Sequence, residues 1–138
     1  MHALKEVWRV LVPRGSLIDL RPLAFNLPIE VVVGGEVLGS GVVVDGSPGV
    51  HDDVASEAAL RQVTDDGCFV CEHTESFECA LYWDTIEEMK ADVGNWRRWR
   101  LPTDSALVAV RQLVARTIEG AKVRVRHSMV IARYRRVP

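Results

Sequence analysis

The sequence predicts an α+β fold: a mixed, mainly antiparallel sheet of about four to six strands with about four helices. Three observations carry that expectation. From Lys122 to Arg136, Val123, Val125, His127, Met129 and Ile131 alternate with Lys122, Arg124, Arg126 and Ser128, the two-residue period of a strand. Valine-rich runs on either side of Gly34-Gly35 read as a hairpin, because paired glycines accept the positive φ angles of a tight turn. Apolar residues at helical spacing recur in segments that open on capping residues or stop at proline and glycine.

Taken in order, Leu4, Val7, Trp8 and Leu11 share one face of a first helix, which Pro13 and Gly15 stop. Gly15 to Pro22 follows as a short strand closed by proline. Leu27 to Asp45 predicts a protruding β-arm, kinked at Gly39-Ser40-Gly41 and apolar enough to bury both faces, often against another subunit. Ser47-Pro48 opens a helix whose dipole Asp52, Asp53 and Glu57 complement, with a narrow apolar face of Val50, Val54, Ala58, Ala55, Ala59 and Val63. Cys68 to Trp83 reads as strand, interrupted near Glu75-Ser76. Thr85 and Glu88 form a capping box before the buried positions Ile86, Met89, Val93 and Trp96. Thr103-Asp104 caps a last helix with the stripe Leu107, Val110, Leu113, Val114 and Ile118, ended by Gly120. No repeat, low-complexity stretch or linker divides residues 1–138, so a single domain with an arm at about 27–45 is expected.

An apolar share of 48% with 26% charged residues suits a globular protein in water, and no apolar run is long enough to span a bilayer. The amino terminus lacks a signal-peptide core, and three cysteines fit a reduced compartment, so a cytoplasmic protein is expected. Charge is lopsided. Residues 45–95 hold thirteen acids and two bases, and residues 96–138 two acids and eleven bases. The simplest account places acidic middle beside basic tail in the fold. Nucleic-acid binding through the tail is an alternative, disfavoured because no helix-turn-helix, zinc-finger or aromatic ribonucleoprotein pattern accompanies the charge.

The run Ala3-Leu4-Lys5-Glu6-Val7-Trp8-Arg9-Val10-Leu11-Val12-Pro13-Arg14-Gly15-Ser16-Leu17-Ile18-Asp19-Leu20-Arg21-Pro22 resembles the helix, turn and fifth sheet strand of class I S-adenosylmethionine-dependent methyltransferases. Where that family commonly has Leu-Lys-Pro-Gly-Gly, this chain has Leu11-Val12-Pro13-Arg14-Gly15, so one glycine has become Arg14. Tyr82-Trp83-Asp84-Thr85-Ile86-Glu87-Glu88-Met89 resembles a strand-to-helix junction of some members. The resemblance implies the C-terminal half of a Rossmann-like domain, closing with the strand pair Cys68–Trp83 and Lys122–Arg136, the last antiparallel to the rest. It also implies that the cofactor-binding part, with its Gly-x-Gly-x-Gly loop, precedes residue 1. No such loop stands here: Gly34, Gly35, Gly39 and Gly41 lack a following helix to aim amides at an anion. No cofactor is therefore expected on this chain alone.

Candidate chemistry is sparse. Asp19 and Arg21 end a strand at the edge where open α/β sheets place their ligand crevice, and the resemblance assigns that edge to the acceptor substrate. Asp19, Arg21, His51 and Tyr82 are the candidate substrate-side residues. His51 with Asp52 and Asp53 also reads as helix capping. Cys68, Cys71, His73 and Cys79 have zinc-ligand chemistry, but residues three apart on a strand face opposite sides, so no metal is expected. Trp96-Arg97-Arg98-Trp99-Arg100 reads as a helix end with tryptophan in the core, ahead of a base-stacking platform. The expected protein is a methyltransferase-like homodimer, paired through the free edge of Ser16–Arg21 or exchange of the arm. It serves as a small-molecule binder or scaffold, not catalytic alone. The alternative is the acceptor-substrate subunit of a split methyltransferase whose cofactor half is a separate chain.

Overall fold

The computed structural model describes residues 2–116 and 119–138, and Ile118, expected in the last helical stripe, lies outside them. In chain order the elements are α1 (His2–Val10), β1 (Ser16–Pro22), β2 (Leu27–Val33), β3 (Glu36–Val44), a 3-10 turn (Ser47–Gly49), α2 (Val50–Asp65), β4 (Phe69–Trp83), α3 (Ile86–Val93), α4 (Asp104–Arg116) and β5 (Lys122–Arg136). Strands bond in the order β1-β5-β2-β3, with β4 also on β5. The expected mixed sheet is antiparallel in each described register. The chain forms two compact units. One comprises Met1–Leu23, His51–Phe77 and Ser128–Pro138; the second comprises Ala24–Val50 and Glu78–His127.

In the first unit α1 half-buries Leu4, Val7, Trp8 and Leu11, the face its spacing predicts. The turn that follows puts Arg14 at φ 65°, a left-handed conformation that glycine adopts freely and arginine rarely does. A side chain at Gly15 would meet the Val12 carbonyl at 2.8 Å, so glycine is required there. β1 then pairs with β5 without a shift, from Ser16 opposite Arg135 to Pro22 opposite Met129. The Gly15 carbonyl accepts from the Arg136 amide at 2.8 Å and the Cys68 carbonyl from the Val137 amide at 3.0 Å. α2 buries Leu60 and Val63, while Val50 and Val54, expected on its inner face, are 48% and 64% exposed. Alanines surround this helix, so its sides differ little in hydrophobicity and the packing of Leu60 decides which one turns inward. β4 runs unbroken through Glu75-Ser76, where an interruption was expected.

The second unit holds the main core. Leu27, Ile29 and Val31 of β2, Val44 of β3, Ile86, Met89 and Val93 of α3, Leu107 and Val110 of α4, and Val123 and Val125 of β5 form one buried cluster. Fully burying an aliphatic side chain of this size contributes roughly 1.5–3 kcal/mol. The hairpin turns at Gly34 and Gly35, with φ of 57° and 91°. It is part of its own unit's core instead of the protruding arm expected, because β2 pairs with β5 on one side and β3 on the other. Thr85 caps α3 by accepting from the Glu88 amide at 3.1 Å, and Glu88 accepts in return from the Asp84 amide at 3.0 Å. Ser47 caps nothing: its amide and hydroxyl both donate to the Asp45 carboxylate. On β5 the alternation holds through the buried residues Val123, Val125 and His127; nearer its end Ala132 is the buried residue, while Met129 and Ile131 are only half-buried.

Acidic middle and basic tail meet within each unit. Glu72 pairs with Arg133 at 3.0 Å and with Arg135 in the first. Glu78 pairs with Arg126 at 3.2 Å, and Asp84 with Lys122, in the second. Among the described residues no helix is long and apolar enough to cross a membrane.

Candidate functional site

Within the first unit a cleft of about 260 Å³ lies between α2 and the sheet. Period-two alternation puts Asp19 and Arg21 of β1 on the face turned to α2, in register with Ala132 and Val130 of β5. Arg21 bridges two carboxylates: its Nε donates to Asp19 Oδ2 at 3.0 Å and its Nη2 to Glu57 Oε2 at 3.0 Å. The Arg21 and Asp19 side chains are only 14% and 17% exposed, whereas Glu57 is 58% exposed and faces the mouth. Arg61 approaches the other Glu57 oxygen at 3.9 Å. Leu60, Val130 and Ala132 supply apolar wall, and Cys71, Thr74 and Tyr134 supply hydroxyl and thiol groups.

Electrostatics follow from burial and spacing. Burial pushes the Tyr134 hydroxyl above its ordinary value, and Cys71, Asp19 and Glu57 add to the rise while Arg21 opposes it. Tyr134 is thus a neutral phenol that both donates and accepts. Asp19, Glu57 and Asp65 outnumber Arg21 and Arg61, and Arg21 is already engaged on two sides. The cleft therefore favours a small neutral or cationic molecule with an apolar body. Its volume falls just under the range of about 300–1,000 Å³ usual for drug-sized ligands.

Of the sequence candidates, Asp19 and Arg21 are together in this cleft. His51 is exposed in the first turn of α2 and does not line it. Tyr82 belongs to the second unit and is 54% exposed. Glu57, Cys71, Thr74 and Tyr134 are additional lining residues. The sequence assigns Glu57 to the helix dipole and Cys71 to a strand without a metal, and Tyr134 carries no local signal. Cys68, Cys71 and Cys79 are free, and among the described residues no group of three or more His, Cys, Asp or Glu is placed to hold a metal ion.

The second unit carries two buried polar features. Glu30, 4% exposed, accepts from Arg124 Nε at 2.7 Å and from Arg126 at 3.0 and 3.1 Å. Burial alone would raise its carboxyl, but hydrogen bonds and charge from Arg124 and Arg126 prevail and hold it below the usual range. His127 is 7% exposed, framed by Trp96 and Trp99 with ring centroids at 4.9 and 5.3 Å, and its Nε2 is without a partner among the described residues. Trp96 and Trp99 pack against the core, and Arg98 lies over the Trp99 ring at 5.6 Å. The Trp-Arg-Arg-Trp-Arg stretch is a turn beyond α3, not the helix end expected: Trp96 and Trp99 pack, while Arg97 and Arg100 are exposed. No family model, curated protein or solved structure matches this chain.

Proposed function

We propose that the chain is a small-molecule-binding protein of methyltransferase-like build, which uses the α2 cleft as its ligand site and transfers no methyl group by itself. The observation that carries this is the clustering of Asp19, Arg21, Glu57, Cys71 and Tyr134 around one small, partly apolar cavity. Asp19 and Arg21 stand on the strand edge that the resemblance assigns to the acceptor substrate. Two further features support the resemblance. Arg14 holds a left-handed backbone conformation that glycine adopts freely. The final strand, β5, is antiparallel to β1 and paired with β4, as the family's closing strand pair would be. The free cysteines fit a cytoplasmic setting.

The split-enzyme reading is second: the same cleft would hold an acceptor while a separate chain supplies S-adenosylmethionine. Nucleic-acid binding is disfavoured because Lys122, Arg124, Arg126, Arg133 and Arg135 each already engage a carboxylate. Calorimetry of the purified chain tests the ligand site common to both ligand readings. Titration with tyramine, a small cationic phenol, is expected to give saturable heat that Glu57→Gln weakens about tenfold, one hydrogen bond to a charged group being worth about 1.5–3 kcal/mol. S-adenosylmethionine is expected to give none. Saturable binding of S-adenosylmethionine by this chain would sink the proposal.

A further inference from the structure

β1 bonds only to β5 among the described strand pairings, so its other edge presents amides and carbonyls with no strand partner. Leu17, Ile18 and Asp19 together line a groove of about 380 Å³ with Leu4 of α1 and Ala55 and Ala59 of α2. Three consecutive residues share a groove only where a strand shows its edge, since alternate side chains point to opposite faces. Ala55 and Ala59 leave space beside that edge. Exposed edges are ordinarily blunted by lysine, proline, bulges or inward charge. Ser16–Pro22 carries inward charge at Asp19 and Arg21 and a proline at its end, but it has no lysine and no bulge, and it exposes Ile18 and Leu20 by 52% and 56%.

We propose that this edge is a homodimer interface, with β1 strands of two copies paired antiparallel about a two-fold axis through Leu20. Charge selects the register. A two-fold axis perpendicular to the sheet keeps each face, so Ile18, Asp19 and Leu20 are the candidate centres. Centring on Asp19 opposes two carboxylates, and centring on Ile18 sets Asp19 against leucine. Centring on Leu20 puts Asp19 opposite the partner's Arg21, and Arg21 opposite the partner's Asp19. It also puts Leu20 against its own copy and Ile18 against proline. Opposite charges and apolar pairs directly across strands are the favourable combinations. The occupant is a second copy because the sequence Asp19-Leu20-Arg21 is its own electrostatic complement.

Analytical ultracentrifugation of the full chain at micromolar concentration is expected to show a dimer. Leu20→Lys opposes two ammonium groups at the axis and is expected to give a monomer with unchanged far-ultraviolet circular dichroism. Val70→Lys, at another exposed position, is expected to remain dimeric. Leu20→Cys provides a second readout. Residues directly opposite in antiparallel strands have Cα atoms about 4.5–5.5 Å apart, within disulfide reach. Mild oxidation is therefore expected to give a covalent dimer well beyond what the native cysteines give in the unsubstituted chain. A monomeric unsubstituted chain, or a dimer that survives Leu20→Lys, overturns the proposal. Loss of the dimer in Leu20→Lys without crosslinking in Leu20→Cys overturns the register.

Discussion

Removing the Glu30 carboxylate leaves two guanidinium groups facing a site that excludes most water. Arg124 and Arg126 lie 2.7–3.1 Å from the Glu30 oxygens, and Glu30 is 4% exposed. At an effective dielectric of about 20, each such pair gains about 5 kcal/mol of attraction. Desolvation of each ion offsets several kcal/mol of that, so the intact cluster contributes little net stability. Truncating one partner is different, because the desolvated cations then have no counter-charge; breaking a buried pair costs about 3–5 kcal/mol. Arg126 keeps Glu78 at 3.2 Å, which places Glu30→Ala near the lower end, about 3 kcal/mol. For a chain of this length that lowers Tm by roughly 10 °C, from about 2–4 °C per kcal/mol for larger domains and more for smaller ones. Urea unfolding followed by circular dichroism at pH 7 measures it. A folded carboxyl below the unfolded value stabilises above about pH 4.3 and loses that contribution as pH falls through the folded value. The difference between the native chain and Glu30→Ala should therefore shrink in acid. A cost under about 1 kcal/mol, the level of an exposed pair, or a difference that grows below pH 4, refutes the reasoning.

Further outcomes follow from single contacts. Burial holds His127 below its ordinary value, so the unfolded chain takes up its proton first, near pH 6.5. Stability should decline as pH falls below 6.5 and level off once the folded value is passed. His127→Phe should flatten that slope in urea midpoints taken between pH 5 and 7.5. Thr85→Ala removes the α3 cap and should cost about 1 kcal/mol by the same unfolding assay, with no change if the cap is dispensable. Arg14→Gly relieves a left-handed arginine worth about 1–2 kcal/mol against about 0.5–1 kcal/mol of added chain entropy. A Tm gain of a few degrees is expected, and a loss would contradict the turn geometry.

Features written into a few neighbouring residues were legible before folding. The Gly34-Gly35 turn, the Thr85–Glu88 capping box and the period-two run from Lys122 each depend on contacts within a few residues. On α2 the expected face holds at Val63 but not at Val50 and Val54, and Leu60 turns inward instead, because only packing separates the sides of an alanine-rich helix. The hairpin looked like an arm because its valines could equally face another chain; the partner is β5, more than ninety residues away where Ile29 meets Val125. In the cleft, Asp19 and Arg21 were found from their place at a strand end. Tyr134 was not, since what brings it near them is the antiparallel register of β1 with β5. Glu57 is expected beside Asp52 and Asp53 as a complement to the helix dipole, but it is the eighth residue of α2, beyond the first turn, and faces the cleft instead.

The ligand assignment meets its most direct test in a ¹⁵N-edited NMR titration of the full chain with tyramine. The account predicts saturable shifts confined to the amides of Asp19–Arg21, Glu57–Arg61, Cys71–Thr74 and Tyr134, weakened by Glu57→Gln. Absence of saturable shifts, or shifts centred on residues outside that set, would contradict it.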